Sequence, residues 1–163
     1  DEKDKRLRQI SKEVEFPLTK KDKELIDEMI EYLHNSQIDE LAEKYDLRPG
    51  MGLSAIQLGV AKRYFVVVHE YEEGKFDNYV VINPKIISNS VEKIYVTDGE
   101  GCLSVKNIRG DVERPYEITV HAYDRFGNEM TIKVQDFVAK AICHELDHLE
   151  GVLFIDKLIP NKK

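Results

Sequence analysis

His144-Glu145-Leu146-Asp147-His148 sets two imidazoles four residues apart. On a helix that spacing leaves them about 40° apart on one face, where both rings can reach a single metal ion. Glu145 stands about 100° round from His144, with a side chain long enough to serve a metal-bound water as general base. Two imidazoles, a carboxylate and a divalent cation are the parts of metal-assisted hydrolysis. The competing reading is a surface helix that merely carries two histidines.

A catalytic centre of this kind needs a third protein ligand and one position open to water. The metzincin spacing, His-Glu-x-x-His-x-x-Gly-x-x-His, is matched as far as Gly151, but Phe154 stands where its last histidine would be. No histidine follows His148, and Glu150 is too close to it to turn back onto the same ion. The thiols offer a better ligand. Cys143 adjoins His144 but projects about 100° away, on the side away from His148, and reads as a small buried apolar residue. Cys102 lies far away in sequence, in Gly99-Glu100-Gly101-Cys102-Leu103-Ser104, where two glycines permit close backbone approach at a strand end. Cys102, His144 and His148 are therefore the expected ligands, with water in the open position.

A second glycine-rich segment, Gly50-Met51-Gly52-Leu53-Ser54-Ala55-Ile56-Gln57, has neither the phosphate-loop nor the dinucleotide spacing. Its glycines and small residues indicate backbone passing close to a ligand or a packed helix. His34, His69 and His121 lie outside any ligand spacing and are read as non-functional.

The elements that must position these residues follow from periodicity. Thr19 and Asp22 read as a capping box opening a helix through about His34, with Leu25, Ile26, Met29, Ile30 and Leu33 as its core stripe. A short helix follows over Asp39–Tyr45, before Arg48-Pro49-Gly50. Strands are expected at Tyr64–His69, at Tyr79–Ile82 (stopped by Asn83-Pro84), at Lys85–Val96, Tyr116–Tyr123 and Glu129–Val134. Asp124 to Asn128 joins the last two as a hairpin, and Gln135-Asp136 opens the histidine helix. The expected class is α+β: antiparallel or mixed sheets around a central metal-binding helix, with an N-terminal helix, in one domain over 1–163.

Composition narrows the function. The 163 residues are 42% hydrophobic and 34% charged, ordinary for a soluble domain, with a net charge of −7 that argues against non-specific nucleic-acid binding. Arg6, Arg8, Lys12, Lys20, Lys21 and Lys23 form at most a local basic patch, better read as a solvated face. No apolar run is long enough to span a membrane and no signal-peptide core is visible. Two cysteines without other signs of secretion favour a reducing cytoplasm.

Together the three segments resemble peptide deformylase, whose pattern is GxGLAAxQ, EGCLS and QHExDHLxG. They stand here in that order at Gly50–Gln57, Glu100–Ser104 and Cys143–Gly151, departing at Ser54, where alanine is usual, and at Cys143, where glutamine is usual. The stretch from Asn35 to Arg48 looks like the insertion of the Gram-positive-type branch (type 2), and the short tail after Leu158 fits the same branch. The resemblance implies a bacterial, cytoplasmic hydrolase removing formyl groups from N-formylmethionine of nascent polypeptides. By position it implies Cys102, His144 and His148 as metal ligands, Glu145 as general base and later proton donor, and the Gln57 amide and Leu103 N–H as oxyanion donors. Gly52 should hydrogen bond the peptide main chain, while Met51, Leu103 and Ala141 are hypothesised walls of the methionine slot. It implies Fe²⁺ in the cell, with Zn²⁺, Ni²⁺ or Co²⁺ possible in purified protein. A transient ribosome contact is expected, with no membrane and no sequence-specific nucleic acid. Asp147 reads as orienting a ligand from behind, and Glu100 as holding the Cys102 loop through a basic residue such as Arg109. The remaining alternatives are a metalloprotease on the same helix and a non-catalytic, metal-stabilised ribosome-binding module.

Overall fold

A computed structural model describes residues 3–94 and 100–159. Helix α1 (Lys20–Ser36) starts where Thr19 accepts the backbone N–H of Asp22 at 3.1 Å, the cap expected from sequence. Helix α2 (Asp39–Lys44) follows. Strand β1 (Gly52–Ser54) leads through a 3-10 turn at Ala55–Leu58 to β2 (Tyr64–Glu72) and β3 (Lys75–Asn89). The short strands β4 (Lys93–Ile94), β5 (Glu100–Cys102), β6 (Val105–Gly110) and β7 (Arg114–Pro115) come next. Strands β8 (Glu117–Tyr123) and β9 (Glu129–Gln135) then lead into α3 (Asp136–Leu149).

The main sheet has the order β1-β2-β3-β8-β9 with antiparallel ladders throughout; β4 pairs β7 and β5 pairs β6. It is sandwiched between two helices, which explains why β2 reads as a continuous apolar run rather than an alternating one. Tyr64, Val66 and Val68 face Ile26, Met29 and Leu33 of α1, whereas Phe65 and Val67 face Val138, Ala139 and Ile142 of α3. The two-residue side-chain period sends successive residues to opposite faces, and both faces are covered.

Two sequence expectations change. Asn83-Pro84 does not stop a strand: β3 runs through it. Asn83 takes φ 50°, the register against β8 shifts between Ile82 and Lys85, and the Asn83 amide bonds both N–H and C=O of Val14. The pair thus makes a bulge that spares proline a ladder bond. The strand expected over Lys85–Val96 divides into the end of β3 and β4, with Tyr95 and Val96 outside the described residues.

Candidate metal centre

Helix α3 seats its apolar face on the sheet, and Cys143 is part of that face: it is buried against the core, as its offset from His144 predicted. The seating turns His144, Glu145 and His148 away from the sheet core. Strand β5, paired with β6, delivers Cys102 to meet them. The Sγ of Cys102 and a ring nitrogen of each histidine lie within 4.8 Å of one another, with Cys102 Sγ 3.4 Å from Nε2 of His148. A borderline-soft divalent ion prefers this thiolate and imidazole set.

The histidine orientations have identifiable causes. Nδ1 of His144 lies 2.5 Å from Oε1 of Glu100, which leaves Nε2 for the centre. Glu100 is itself gripped by Arg114, through Nε at 3.2 Å and Nη2 at 2.7 Å, while Arg114 Nη1 reaches Asp147 at 2.6 Å. Burial would push the Glu100 carboxyl up, but the bonds from His144 and Arg114 prevail and hold it down at about 2. For His144 burial is likewise outweighed, here by Cys102 and Glu100, and its basicity rises; His148 is dominated by burial, which drops it to about 3. His148 therefore stays a neutral donor at physiological pH.

Glu145 is 1% exposed, and burial lifts its carboxyl to about 7. Neither of its oxygens finds a hydrogen-bond partner among the described residues, nor does Nδ1 of His148. An unpartnered buried carboxylate costs several kcal/mol, roughly, against one that is solvated or paired. Its Oε1 lies 3.9 Å from Nε2 of His148, beside the three donors, where a cation and a water would satisfy it. The donor set and the unpartnered oxygens both fit a resident divalent ion.

The other residues singled out in the sequence converge on the same place. The Gln57 Nε2 donates to Ser104 Oγ at 2.9 Å and lies 3.7 Å from Cys102 Sγ, while its Oε1 accepts from the N–H and hydroxyl of Ser54. Ser54, at one of the two departures from the family pattern, thus helps fix which way that amide faces. Gly52 lies against Glu145: a Cβ there would come within 2.9 Å of the glutamate Cγ. Met51, Gly52, Leu103 and Ala141 line a cleft of about 570 Å³ that reaches Cys102, His144 and Glu145.

Three assignments need correction or sharpening. The basic residue on Glu100 is Arg114, fourteen positions along, whereas Arg109 lies over Gly101 at the cleft wall. Among the described residues Asp147 bonds Arg114 and, at 3.1 Å, Lys157 rather than a ligand, so it acts on His144 only through Arg114 and Glu100. His69, read as non-functional, lines the cleft together with Arg48, Phe137 and Lys140. No motif in the sequence marks these four, since the loop before β1, strand β2 and the first turns of α3 bring them together.

Comparison with known proteins agrees with this geometry. The family model described as polypeptide deformylase matches residues 1–163. A peptide deformylase of Macrococcus caseolyticus is 48% identical over 162 residues, 96% of this chain and 88% of that protein. Peptide deformylase 2 of Bacillus subtilis is 46% identical over 153 residues, 93% and 83% of the two chains. Among solved structures, a plant peptide deformylase superposes with TM-score 0.80 at 33% identity, covering 96% of this chain and 77% of that one. A probable peptide deformylase of Synechococcus phage S-SSM7 gives TM-score 0.77 at 39% identity over 95% of each chain. Matching along its whole length in sequence and over nearly all of it in fold, this chain belongs to the polypeptide deformylase family.

Proposed function

We propose that the protein hydrolyses the formyl amide of N-formylmethionyl peptides, releasing formate and a free amino terminus. The observation that carries this reading is the meeting of Cys102, His144 and His148 donor atoms within 4.8 Å, beside the unpartnered carboxylate of Glu145. Cys102, His144 and His148 hold one divalent ion, Fe²⁺ in the cell and Zn²⁺, Ni²⁺ or Co²⁺ after purification. When bound, that ion supplies Lewis acidity, acidifying water towards a pKa of about 7 and polarising the formyl oxygen.

Glu145 takes the proton of the attacking water and returns it to the amide nitrogen as the C–N bond breaks. Acid–base help of this kind is worth roughly 10²–10⁴-fold. The Gln57 amide and the Leu103 backbone N–H stabilise the charge that develops on the formyl oxygen. Gly52 gives the peptide a main-chain hydrogen bond, and Met51, Leu103 and Ala141 line the methionine slot. Residues 1–163 act as one catalytic domain in the bacterial cytoplasm, meeting nascent chains during transient contact with the ribosome.

The test is one preparation offered both a formylmethionyl tripeptide and an unmodified protein substrate. Formate release without internal cleavage supports the proposal. Proteolysis without formate would replace it with the metalloprotease reading, and metal binding without turnover of either substrate would favour the non-catalytic module.

A further inference from the structure

The chain carries a net charge of −7, yet cationic side chains stand along its cleft. Arg48, Arg109 and Lys140 line it. Among the described residues the carboxylates that line it are Glu100 and Glu145, which are 4% and 1% exposed, and Glu100 is already bonded to Arg114 and His144. An entering peptide therefore meets Arg48 and Lys140, with these two carboxylates sealed beneath.

Two of these cations are placed as receptors. Arg48, in the connection from α2 to β1, bonds the carbonyls of Leu103 at 3.2 Å and Val105 at 3.0 Å. Those bonds pin the guanidinium to the loop that carries Cys102, but neutral carbonyls leave its charge uncompensated. Lys140 approaches from the other wall, on α3, one turn before His144. It is half-buried, and burial lowers its basicity. An anion brought close to a partly desolvated ammonium restores what burial removes. Neither side chain forms an ion pair with a carboxylate among the described residues.

We infer that the protein favours formylmethionyl chains with an acidic side chain in the first residues after methionine, received at the cleft mouth by Arg48 and Lys140. This rests on the deformylase reading and names the substrate class that the reading leaves open. Two partly exposed charge pairs of this kind amount to roughly a fivefold to tenfold effect at low ionic strength.

The experiment measures kcat/KM for formate release from four C-terminally amidated peptides: formyl-Met-Glu-Ala-Ser, formyl-Met-Ala-Glu-Ser, formyl-Met-Ala-Gln-Ser and formyl-Met-Ala-Lys-Ser. The metal-loaded full chain is used, at low ionic strength and again at about 0.5 M salt, where the screening length falls to a few ångströms. At least one glutamate peptide is expected to exceed the lysine peptide about fivefold to tenfold, with the ratio shrinking below about twofold in salt. Within Arg48→Met/Lys140→Met the same ratio is expected to collapse towards one, whereas Arg48→Lys/Lys140→Arg, which keeps both charges, retains most of it. The salt dependence of the unmodified chain stands on its own should the double variant fold poorly. Equal or lysine-favouring ratios at low salt, or a preference that survives in the methionine variant, would overturn the inference while leaving the activity in place. No formate from any of the four would overturn the deformylase reading and this inference with it.

Discussion

Oε1 of Glu100 lies 2.5 Å from Nδ1 of His144, so a residue two positions before one ligand orients another on a different element. The carboxylate ties β5 to α3, and Arg114 of β7 locks it from behind. The Cys102 loop and the histidine helix are held in register by this buried contact as well as by any ion between them.

Breaking it should cost both stability and affinity. In Arg114→Met a buried carboxylate at Glu100 loses its guanidinium, and removing one partner of such a pair costs roughly 3–5 kcal/mol. Because Glu100 then holds His144 less firmly, metal affinity should fall by about 10–100-fold. Urea denaturation of the apo chain reads the first effect, and competition against a chelator reads the second. Unchanged affinity in a folded variant would show that the carboxylate does not orient the ligand.

Glu145→Gln separates binding from turnover. The amide keeps the shape and removes an unpartnered buried acid, so metal content should stay at one per chain and the fold should be no less stable. The rate should drop by about 10²–10⁴-fold because the proton carrier is gone. Metal analysis alongside formate release checks both, and a variant retaining most of its activity would dismiss Glu145 as the base.

Gly52→Ala puts a methyl group where the Glu145 side chain already sits, since the added Cβ would lie 2.9 Å from its Cγ. Either the glutamate swings away or β1 shifts. The expected result is a loss in kcat of at least about tenfold, with metal content unchanged, because misplacing a reacting group by a fraction of an ångström is felt strongly. Wild-type kcat in this variant would show that Glu145 has room to spare.

Acid stability should track Asp22, far from the metal. Burial pushes its carboxyl up, but hydrogen bonds from Lys62, Tyr64 and Thr19 prevail and hold it below its usual value. A group depressed in the folded state contributes stability that is complete above its unfolded pKa, about 3.9, and is lost as pH falls through the folded value. Asp22→Asn should therefore lower stability at neutral pH and flatten its decline below about pH 4. Parallel acid limbs for variant and parent would contradict this.

The parts of the site legible in the sequence were those that obey a local period or a short motif. The four-residue spacing put His144 and His148 on one helix face, and the cap at Thr19 marked where α1 begins. Cys102 could be named because the two histidines demanded a third ligand. Arg114 could not, since its arrival depends on the two-residue ladder between β4 and β7, too short to leave a periodic signal. Asn83-Pro84 misled because proline usually ends a strand, and only the contact with Val14, 69 positions away, makes it a bulge instead. His69 was set aside for lack of ligand spacing, yet a side chain can line a cleft without binding a metal.

X-ray absorption at the metal edge of the anaerobically loaded chain tests the central claim most directly. One sulfur scatterer at about 2.3 Å and two imidazole nitrogens at about 2.0–2.1 Å are predicted, with the sulfur lost in Cys102→Ser. A shell of nitrogen and oxygen only, or a sulfur that persists when Cys102 is replaced, would contradict the account.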